Sequence, residues 1–454
     1  MNYQETCDFL FSQLPMFERQ GSSGYKPGLQ TTEALDAHYG HPHRRYPTIH
    51  VAGTNGKGSV SHALARILQD AGLRVGLYTS PHLVDFRERI RVNGEFIPEQ
   101  YVIDFVEGLT PNPSPKGDGN LMAQDNPKGL LLPSPSGEGL GVRLYPSFFE
   151  LTTAKAFKYF ADEQVDVAVI EVGLGGRLDS TNIITPMLSV ITNIALDHTQ
   201  FLGSTLAEIA AEKAGIIKRG VPVVIGEATS ETRPVFEQKA REMEAPIFFA
   251  EEFEMPTPLP DFELKGAYQQ KNLRTILCAV AQIKNLQLKI KNSISQPNIL
   301  PSLLGEGAGE RPSIQNLGLM GRWQTLQTQP LVICDTGHNP AAWEYLAPQI
   351  AAQKCRQLRI VFGMVDDKDL DAVLAMLPKN AVYYFTQAAS HRAVPAELVA
   401  KKAAAHKLHG TTYSSVAEAY RQALADAAPD DFIFIGGSSY VVADLLSSQV
   451  AQTQ

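Results

Sequence analysis

Four things are scarce in this chain, and each absence narrows its function. It has only four cysteines in 454 residues, Cys7, Cys278, Cys334 and Cys355. They are scattered and no two form a CxxC pair, so they read as free thiols in a reducing cytoplasm. No apolar run approaches the ~20 residues that cross a bilayer. The opening stretch MNYQETCDFLFSQLPMFERQG has no basic start and no long apolar centre. It is an acidic amphipathic pattern and not a secretion signal. Positive charge is in deficit: 40 Lys and Arg stand against 48 Asp and Glu, for a formal net charge of -8. That balance argues against a nucleic-acid partner, whose phosphates favour a basic face. What remains is an ordinary globular composition, 44% hydrophobic and 19% charged. The length allows two or three domains.

From about Tyr46 short apolar runs alternate with helical patterns. PTIHVAG, LRVGLYTS, VDVAVIEVG, MLSVITNIALDH and VPVVIG read as buried strands. VSHALARILQDAG and LAEIAAEKAGIIKRG read as the helices between them. That alternation predicts a mostly parallel sheet covered on both faces. A second series, PLVICDTGHN, LRIVFGMVDDKD, AVYYFTQ and DFIFIGGSS, predicts a smaller α/β unit, with the boundary between Lys284 and Gly318. Two stretches break the pattern, 110–146 and 288–313. They share a repeat, LLPSPSGEGLGVR against ILPSLLGEGAGER. Rich in Pro, Gly and Ser, they have too little apolar surface to order themselves and read as insertions into surface loops.

HVAGTNGKGS, residues 50–59, resembles a phosphate-binding loop at an unusual spacing. The common pattern is G-x-x-x-x-G-K-[ST]. Here Val51 stands five before Gly56, and Gly58 intervenes before Ser59. The physical ingredients survive: a strand, a glycine-rich turn, and a helix beginning near Ser59. Backbone N–H groups at such a turn converge on an anion, and the helix start adds partial positive charge. Lys57 can reach terminal phosphates, and Ser59 can meet Mg²⁺ or phosphate.

Polar groups follow at strand ends. Glu171 closes VDVAVIE, where a parallel sheet binds ligands. It is a natural Mg²⁺ ligand beside a triphosphate, or else a loop contact. Asp197 and His198 close SVITNIALDH; the histidine is a ligand or a packed side chain. Lys213 reads as a solvated helix residue, with Lys218 and Arg219 capping the helix end. Asp335 and His338 follow the strand LVIC, so the second unit should face the first across a cleft. Arg322, in LMGRWQTL, offers positive charge for phosphate.

Taken in order, HVAGTNGKGS, LYTSPHLVDFRERIRVNG, FFELTTAKAF, IEVGLGGRLDSTNI, ITNIALDHTQFLG, EKAGIIK, GRWQ and DTGHNP resemble one family across nearly the whole chain outside the two insertions. It is the bifunctional dihydrofolate synthase/folylpolyglutamate synthase family of the ATP-dependent Mur-ligase superfamily. The resemblance implies a P-loop ATPase domain over 1–287 with an insertion at 110–146. A low-complexity linker at 288–316 and a Rossmann-like glutamate-ligase domain over 317–454 follow. It implies ATP-driven phosphorylation of a pteroate or folate carboxylate, then attack by the amine of L-glutamate. Catalysis would fall to Lys57, Lys213 and His338. ATP contacts would come from Asn55, Gly56, Lys57, Gly58, Ser59, Asn272, Arg322 and Asp335.

Two Mg²⁺ ions are implied, one on Ser80 and Glu171, a second on His198 and on Lys213 carrying a carbamate. Whether K⁺ joins them is open from sequence. Pro81, His82, Ser147, Phe148, Phe149, Glu150, Arg177 and Asp179 would wall the pterin side, the two phenylalanines as stacking faces or as ordinary core. A cytoplasmic monomer acting on small molecules, without nucleic acid or membrane, is the expectation. Two rival readings stay open: a Mur-type ligase with another carboxylate acceptor, and a nucleotide-hydrolysing switch without one. A second unit with its own polar strand ends favours a two-substrate cleft.

Overall fold

A computed structural model describes residues 1–14, 28–108, 130–132, 142–144, 146–285 and 313–453. The first strands are β1 (Thr48–Ala52), β2 (Val75–Tyr78), β3 (Ile90–Val92) and β4 (Glu95–Phe96). A separate pair, β5 (Leu130–Leu132) and β6 (Val142–Leu144), comes next. Then follow β7 (Val167–Glu171), β8 (Leu188–Ile191), β9 (Val223–Ile225) and β10 (Ile247–Phe249). Eight of them form one sheet in the order β10-β9-β8-β1-β7-β2-β3-β4. It is parallel from β10 to β2, and β3 and β4 add an antiparallel edge. β1, β7 and β8 are buried along their full length, as apolar runs in a two-sided parallel sheet should be.

Alternate residues of β7 feed opposite cores. Val167 and Val169 join Leu64, Ile276 and Val280 on one face; Ala168 and Ile170 join Leu151 and Phe157 on the other. The helix Lys57–Asp70 buries Val60, Ala63, Leu64, Ile67 and Leu68, a stripe at helical spacing.

A short pair, β11 (Asp261–Phe262) and β12 (Ser313–Ile314), precedes the second sheet. That sheet comprises β13 (Gln324–Thr328), β14 (Leu331–Asp335), β15 (Leu358–Phe362), β16 (Val382–Phe385), β17 (Gly410–Thr412) and β18 (Phe432–Gly436). Their order is β13-β14-β18-β15-β16-β17, with only β13 antiparallel. The expected mixed α/β architecture is therefore present twice.

Three expectations need correcting. The strand read through Asp197 and His198 stops at Ile191, and both residues lie on the loop beyond it. His198 sits at φ 50°, as N-cap of the turn Thr199–Leu202. The segment 110–146 is not wholly without structure. Its leucine triplet Leu130–Leu132 pairs antiparallel with Val142–Leu144, in register Leu130 to Leu144, Leu131 to Arg143 and Leu132 to Val142. The rest of that segment, apart from Pro146, lies outside the described residues, as does 288–313 apart from Ser313. Finally, Lys218 does not cap a helix: the helix ends at Ala214, and Lys218 Nζ donates to Asn182 O at 2.9 Å. All four cysteines are free. Among the described residues no helix is long and apolar enough to cross a membrane.

One core lysine stands out. Lys155, on the helix Phe148–Asp162, is fully buried, and its Nζ makes no hydrogen bond. It lies 4.7 Å from the Phe86 ring centroid and 5.4 Å from that of Phe105. Two ring faces return ~2 kcal/mol each at best, less than the several kcal/mol of desolvating an ammonium. Burial accordingly pulls the amine down to about 7. The folded chain then holds fewer protons than the unfolded chain between about pH 7 and the ordinary lysine range near 10.4. The burial penalty is fully present below pH 7 and fades as pH rises through that window, by up to ~1.4 kcal/mol per unit. Lys155→Met should raise the melting temperature at pH 7 by several degrees and flatten the rise in stability from pH 7 to 10, read by thermal denaturation across that series.

Candidate active site between the two sheets

Four parallel strands deliver their carboxyl ends to one edge of the larger sheet. β1 leads into the glycine turn, β2 into Thr79–Leu83, β7 into Glu171 and Gly173, and β8 into the loop of Asp197. Residues from all four meet loops of the second sheet around a cavity of about 600 Å³. A crevice at that edge is where doubly wound sheets place ligands.

The glycine turn is shaped by steric necessity. Gly53 has φ +149°, and a Cβ there would lie 1.8 Å from Thr192 Oγ1. Gly56, at φ +84°, is the N-cap of the helix Lys57–Asp70, which starts two residues earlier than read from sequence. Lys57 and Gly58 line the cavity. Lys57 Nζ donates to Gly53 O at 3.1 Å and Thr54 O at 3.3 Å. Burial lowers its pKa, partly offset by Glu171 and Asp197.

Several residues expected at the nucleotide stand behind the wall instead. Ser59 is 1% exposed and accepts from Gln269 Nε2 at 3.1 Å; Gln269 Oε1 in turn accepts from Asn272 Nδ2 at 2.7 Å. Asn55 and Asn339 exchange side-chain hydrogen bonds of 3.2 and 3.0 Å, joining the turn to the second sheet. Asp335 takes donors from Tyr268 OH (2.8 Å), Trp323 N (2.7 Å) and Gly337 N (2.8 Å), so its carboxylate is a strut between the units. Arg322 does line the cavity.

The metal-ligand candidates converge. Glu171 is 3% exposed, and its Oε2 accepts from Ser80 N at a long 3.4 Å. Burial raises its pKa to about 7 despite Lys57 nearby, the mark of a carboxylate short of compensating charge. Lys213 overturns its reading as solvated. It is 4% exposed and lines the cavity, because the helix Leu206–Ala214 turns Ile209, Ala210 and Lys213 inward together. Burial, with the charge of Lys57, brings its amine down to about 7.

His198 and His338 flank Asp197. Asp197 Oδ1 accepts from Lys368 Nζ at 2.5 Å, and Oδ2 lies 3.6 Å from His338 Nε2. Burial alone would raise the Asp197 carboxyl, but His338, Lys368 and His198 hold it far below the usual range. Burial pushes His198 down to about 3. No cluster of three His, Cys, Asp or Glu among the described residues could hold a metal by itself. Glu171 with Ser80 nevertheless suits a cation, since its buried charge lacks a partner.

On the opposite wall, Pro81, His82, Ser147, Phe148, Phe149 and Asp179 reach the cavity. Arg89 Nε donates to His82 Nδ1 at 2.7 Å, and its guanidinium lies 5.0 Å from the Phe148 ring centroid. Phe148 is 2% exposed and mostly core. Phe149 occupies space that only Gly173 leaves open, since a Cβ there would lie 2.4 Å from its ring. Glu150 and Ser147 form the capping box of the helix Phe148–Asp162, so Glu150 is spent on the helix and does not line the cavity. Arg177, 56% exposed, pairs with Glu212 at 2.8 Å, away from the cavity. The sequence reading missed Phe11, which stacks on His82 at 5.6 Å. It also missed Asp367, Lys368, Arg392 and Ser438 from the second sheet, although DDKD after β15 and GGSS after β18 are polar strand ends of the kind read elsewhere.

A phosphate-loop sheet, an acid short of countercharge and a second α/β unit closing the cleft define an ATP-dependent ligase that forms C–N bonds. The Mur ligase middle domain matches residues 147–292 and the Mur ligase glutamate ligase domain matches residues 321–439. The Escherichia coli dihydrofolate synthase/folylpolyglutamate synthase is 32% identical over 96% of this chain and 94% of its own. A Haloferax volcanii protein named as a probable bifunctional folylpolyglutamate synthase/dihydropteroate synthase is also 32% identical; the chain spans 50% of its length. The solved E. coli FolC structure with DHPP and ADP has a TM-score of 0.77 at 28% identity, covering 100% of this chain and 99% of that one. The Yersinia pestis bifunctional enzyme complexed with AMPPNP and Mn ion has a TM-score of 0.74 at 27% identity, covering 99% and 98%.

The chain belongs to the dihydrofolate synthase/folylpolyglutamate synthase family of Mur ligases. Its reaction is ATP-dependent ligation of glutamate in folate synthesis and polyglutamylation. Those solved relatives were captured with ADP in one case and with AMPPNP and a Mn ion in the other.

Gly53→Ala should weaken ADP binding at least tenfold by titration calorimetry, because Thr192 and the positive φ leave its methyl no room. Unchanged affinity in a folded variant would refute that account of the turn.

Proposed function

We propose that one site accepts both dihydropteroate and reduced folates as carboxylate acceptors. The observation that carries this is the convergence of Lys57, Glu171 and Lys213 in a cavity whose far wall is aromatic. An acceptor carboxylate oxygen attacks the γ-phosphorus of ATP, and the β–γ bridging bond breaks to release ADP. The amine of L-glutamate then attacks the acyl carbon. A C–N bond forms, phosphate leaves with the C–O bond electrons, and the amine gives up a proton.

Lys57 and Arg322 face the phosphates with fixed positive charge, strongest where water is excluded. His338 is held by Nδ1–H donation to Thr336 O at 3.0 Å, with its Nε2 3.6 Å from Asp197 Oδ2 at the cavity wall. Phe149 and His82 supply faces for the flat ring of the acceptor. Ser80 and Glu171 would hold one Mg²⁺, and His198 with a carbamate on Lys213 a second; bound there, the ions would neutralise developing phosphoryl charge. A neutral amine is the form that adds carbon dioxide, and the low Lys213 pKa supports that modification.

ADP release with Mg²⁺, ATP and L-glutamate, comparing dihydropteroate against a reduced folate, tests the reading. Turnover with both supports it. Turnover with one assigns a single activity, and silence with both turns attention to other carboxylate acceptors. Lys213→Ala should lose at least a hundredfold in kcat and recover part of it in added acetate or formate. A complete lack of rescue would count against the carbamate.

A further inference from the structure

His50 is an unexpected residue for its place. It sits mid-strand in β1 between Ile49 and Val51, has no exposed surface, and precedes the phosphate turn by three residues. Its Nε2 lies 2.8 Å from Thr181 Oγ1. Thr181 Oγ1 in turn donates to Asp179 Oδ1. The Asp179 carboxylate also accepts from Thr181 N at 3.0 Å, Leu174 N at 2.8 Å and the backbone of Gly173.

The hydrogens in this chain follow from the donors. With donors on both oxygens, Asp179 serves as an acceptor, and the single Thr181 hydroxyl hydrogen points to it. Thr181 Oγ1 is then the acceptor for His50, so His50 carries its proton on Nε2. Its Nδ1 is left buried without a hydrogen-bond partner. Burial and the charge of Lys218 keep the ring neutral, down to about 3. A valine would fill this strand position without that orphan nitrogen. The imidazole is there to donate.

The carboxylate at the end of the chain has no lone pair to spare for a ligand. What it fixes is the loop around it. Gly173, Leu174, Gly175, Leu178 and Ser180 all face the cavity beside Phe149. We propose that His50 and Thr181 are positioning residues for acceptor binding: the chain His50–Thr181–Asp179 holds the loop Gly173–Ser180 in the shape that walls the acceptor. This rests on the acceptor-side reading above.

Steady-state kinetics on T181V, T181S and H50L of the full-length enzyme, with both acceptors and with ATP varied separately, tests it. T181V and H50L should each raise the acceptor KM about tenfold and leave the KM for ATP within twofold. T181S, which keeps the hydroxyl, should stay within twofold of wild type. The double variant T181V/H50L should be no worse than either single one, because both break the same chain. An unchanged acceptor KM, an equal rise in the KM for ATP, or a T181S as impaired as T181V would overturn the proposal. If T181V does not fold, H50L against H50Q gives the same comparison, with the glutamine amide replacing the Nε2 donor. Wild-type silence with both acceptors would overturn the acceptor reading and this inference with it. Wild-type turnover with unmoved variants would overturn this inference alone.

Discussion

The two sheets close on Asp197. It is a carboxylate only 8% exposed, on a loop of the first sheet, and its main donors come from the second. Lys368 reaches one oxygen, and Asn339 Nδ2 reaches the other at 3.1 Å. A buried charge of this kind is stable only with its partners present, and removing one leaves an uncompensated ion. Asn339 has two further duties. Its Oδ1 accepts from Ala342 N at 3.0 Å to cap the helix Pro340–Ala351, and it pairs with Asn55 in the glycine turn. The relative position of the two units, the start of that helix and the phosphate turn are therefore tied through two neighbouring side chains. Asp197 and Lys368 of this clamp both line the cavity.

Much of this was legible from sequence, for identifiable reasons. Buried parallel strands are continuous apolar runs, so β1, β7, β8 and β14 announce themselves. Residues at their carboxyl ends inherit a predictable location, which is why Glu171 was found. Lys213 was misjudged because its helix was read as surface. The signal was its spacing, four residues after Ile209 and three after Ala210, on the apolar stripe. Ser147 and Glu150 carry the S-x-x-E spacing of a capping box, a cheaper explanation than ligand contact. Ser59 and Asp335 are a different case. Sequence shows that a polar group stands at a strand or helix end, but not which neighbour takes its lone pairs. Gln269, Tyr268 and the Trp323 backbone, remote in the chain, decide that.

The same limit hid the second sheet's contribution. Lys368 and Arg392 look like surface cations in sequence. Only the fold places Lys368 on Asp197 and Arg392 on Asp367, at 2.5 Å in each case.

Charge in the cavity is distributed unevenly, and that distribution explains where chemistry occurs. At the clamp, Asp197 is held firmly ionised by the cations around it. At the same cavity, burial drives other groups toward neutrality: Glu171 up to about 7, Lys213 down to about 7, and Lys57 below its usual range. A low-dielectric wall lined with such groups is costly to charge while water is the only neighbour. It responds strongly once a triphosphate and its counterions enter, because Coulomb interactions there are worth several times their value in solvent. A site built to bind a permanent ion pair would have satisfied these groups in advance, as the clamp does for Asp197. Leaving them without salt-bridge partners directs the binding energy of the incoming charges to the point where a phosphoryl group must be stabilised in transit. The clamp supplies rigidity and these buried groups supply reactivity, with Asp197 on the loop after β8 and Glu171 at the end of β7.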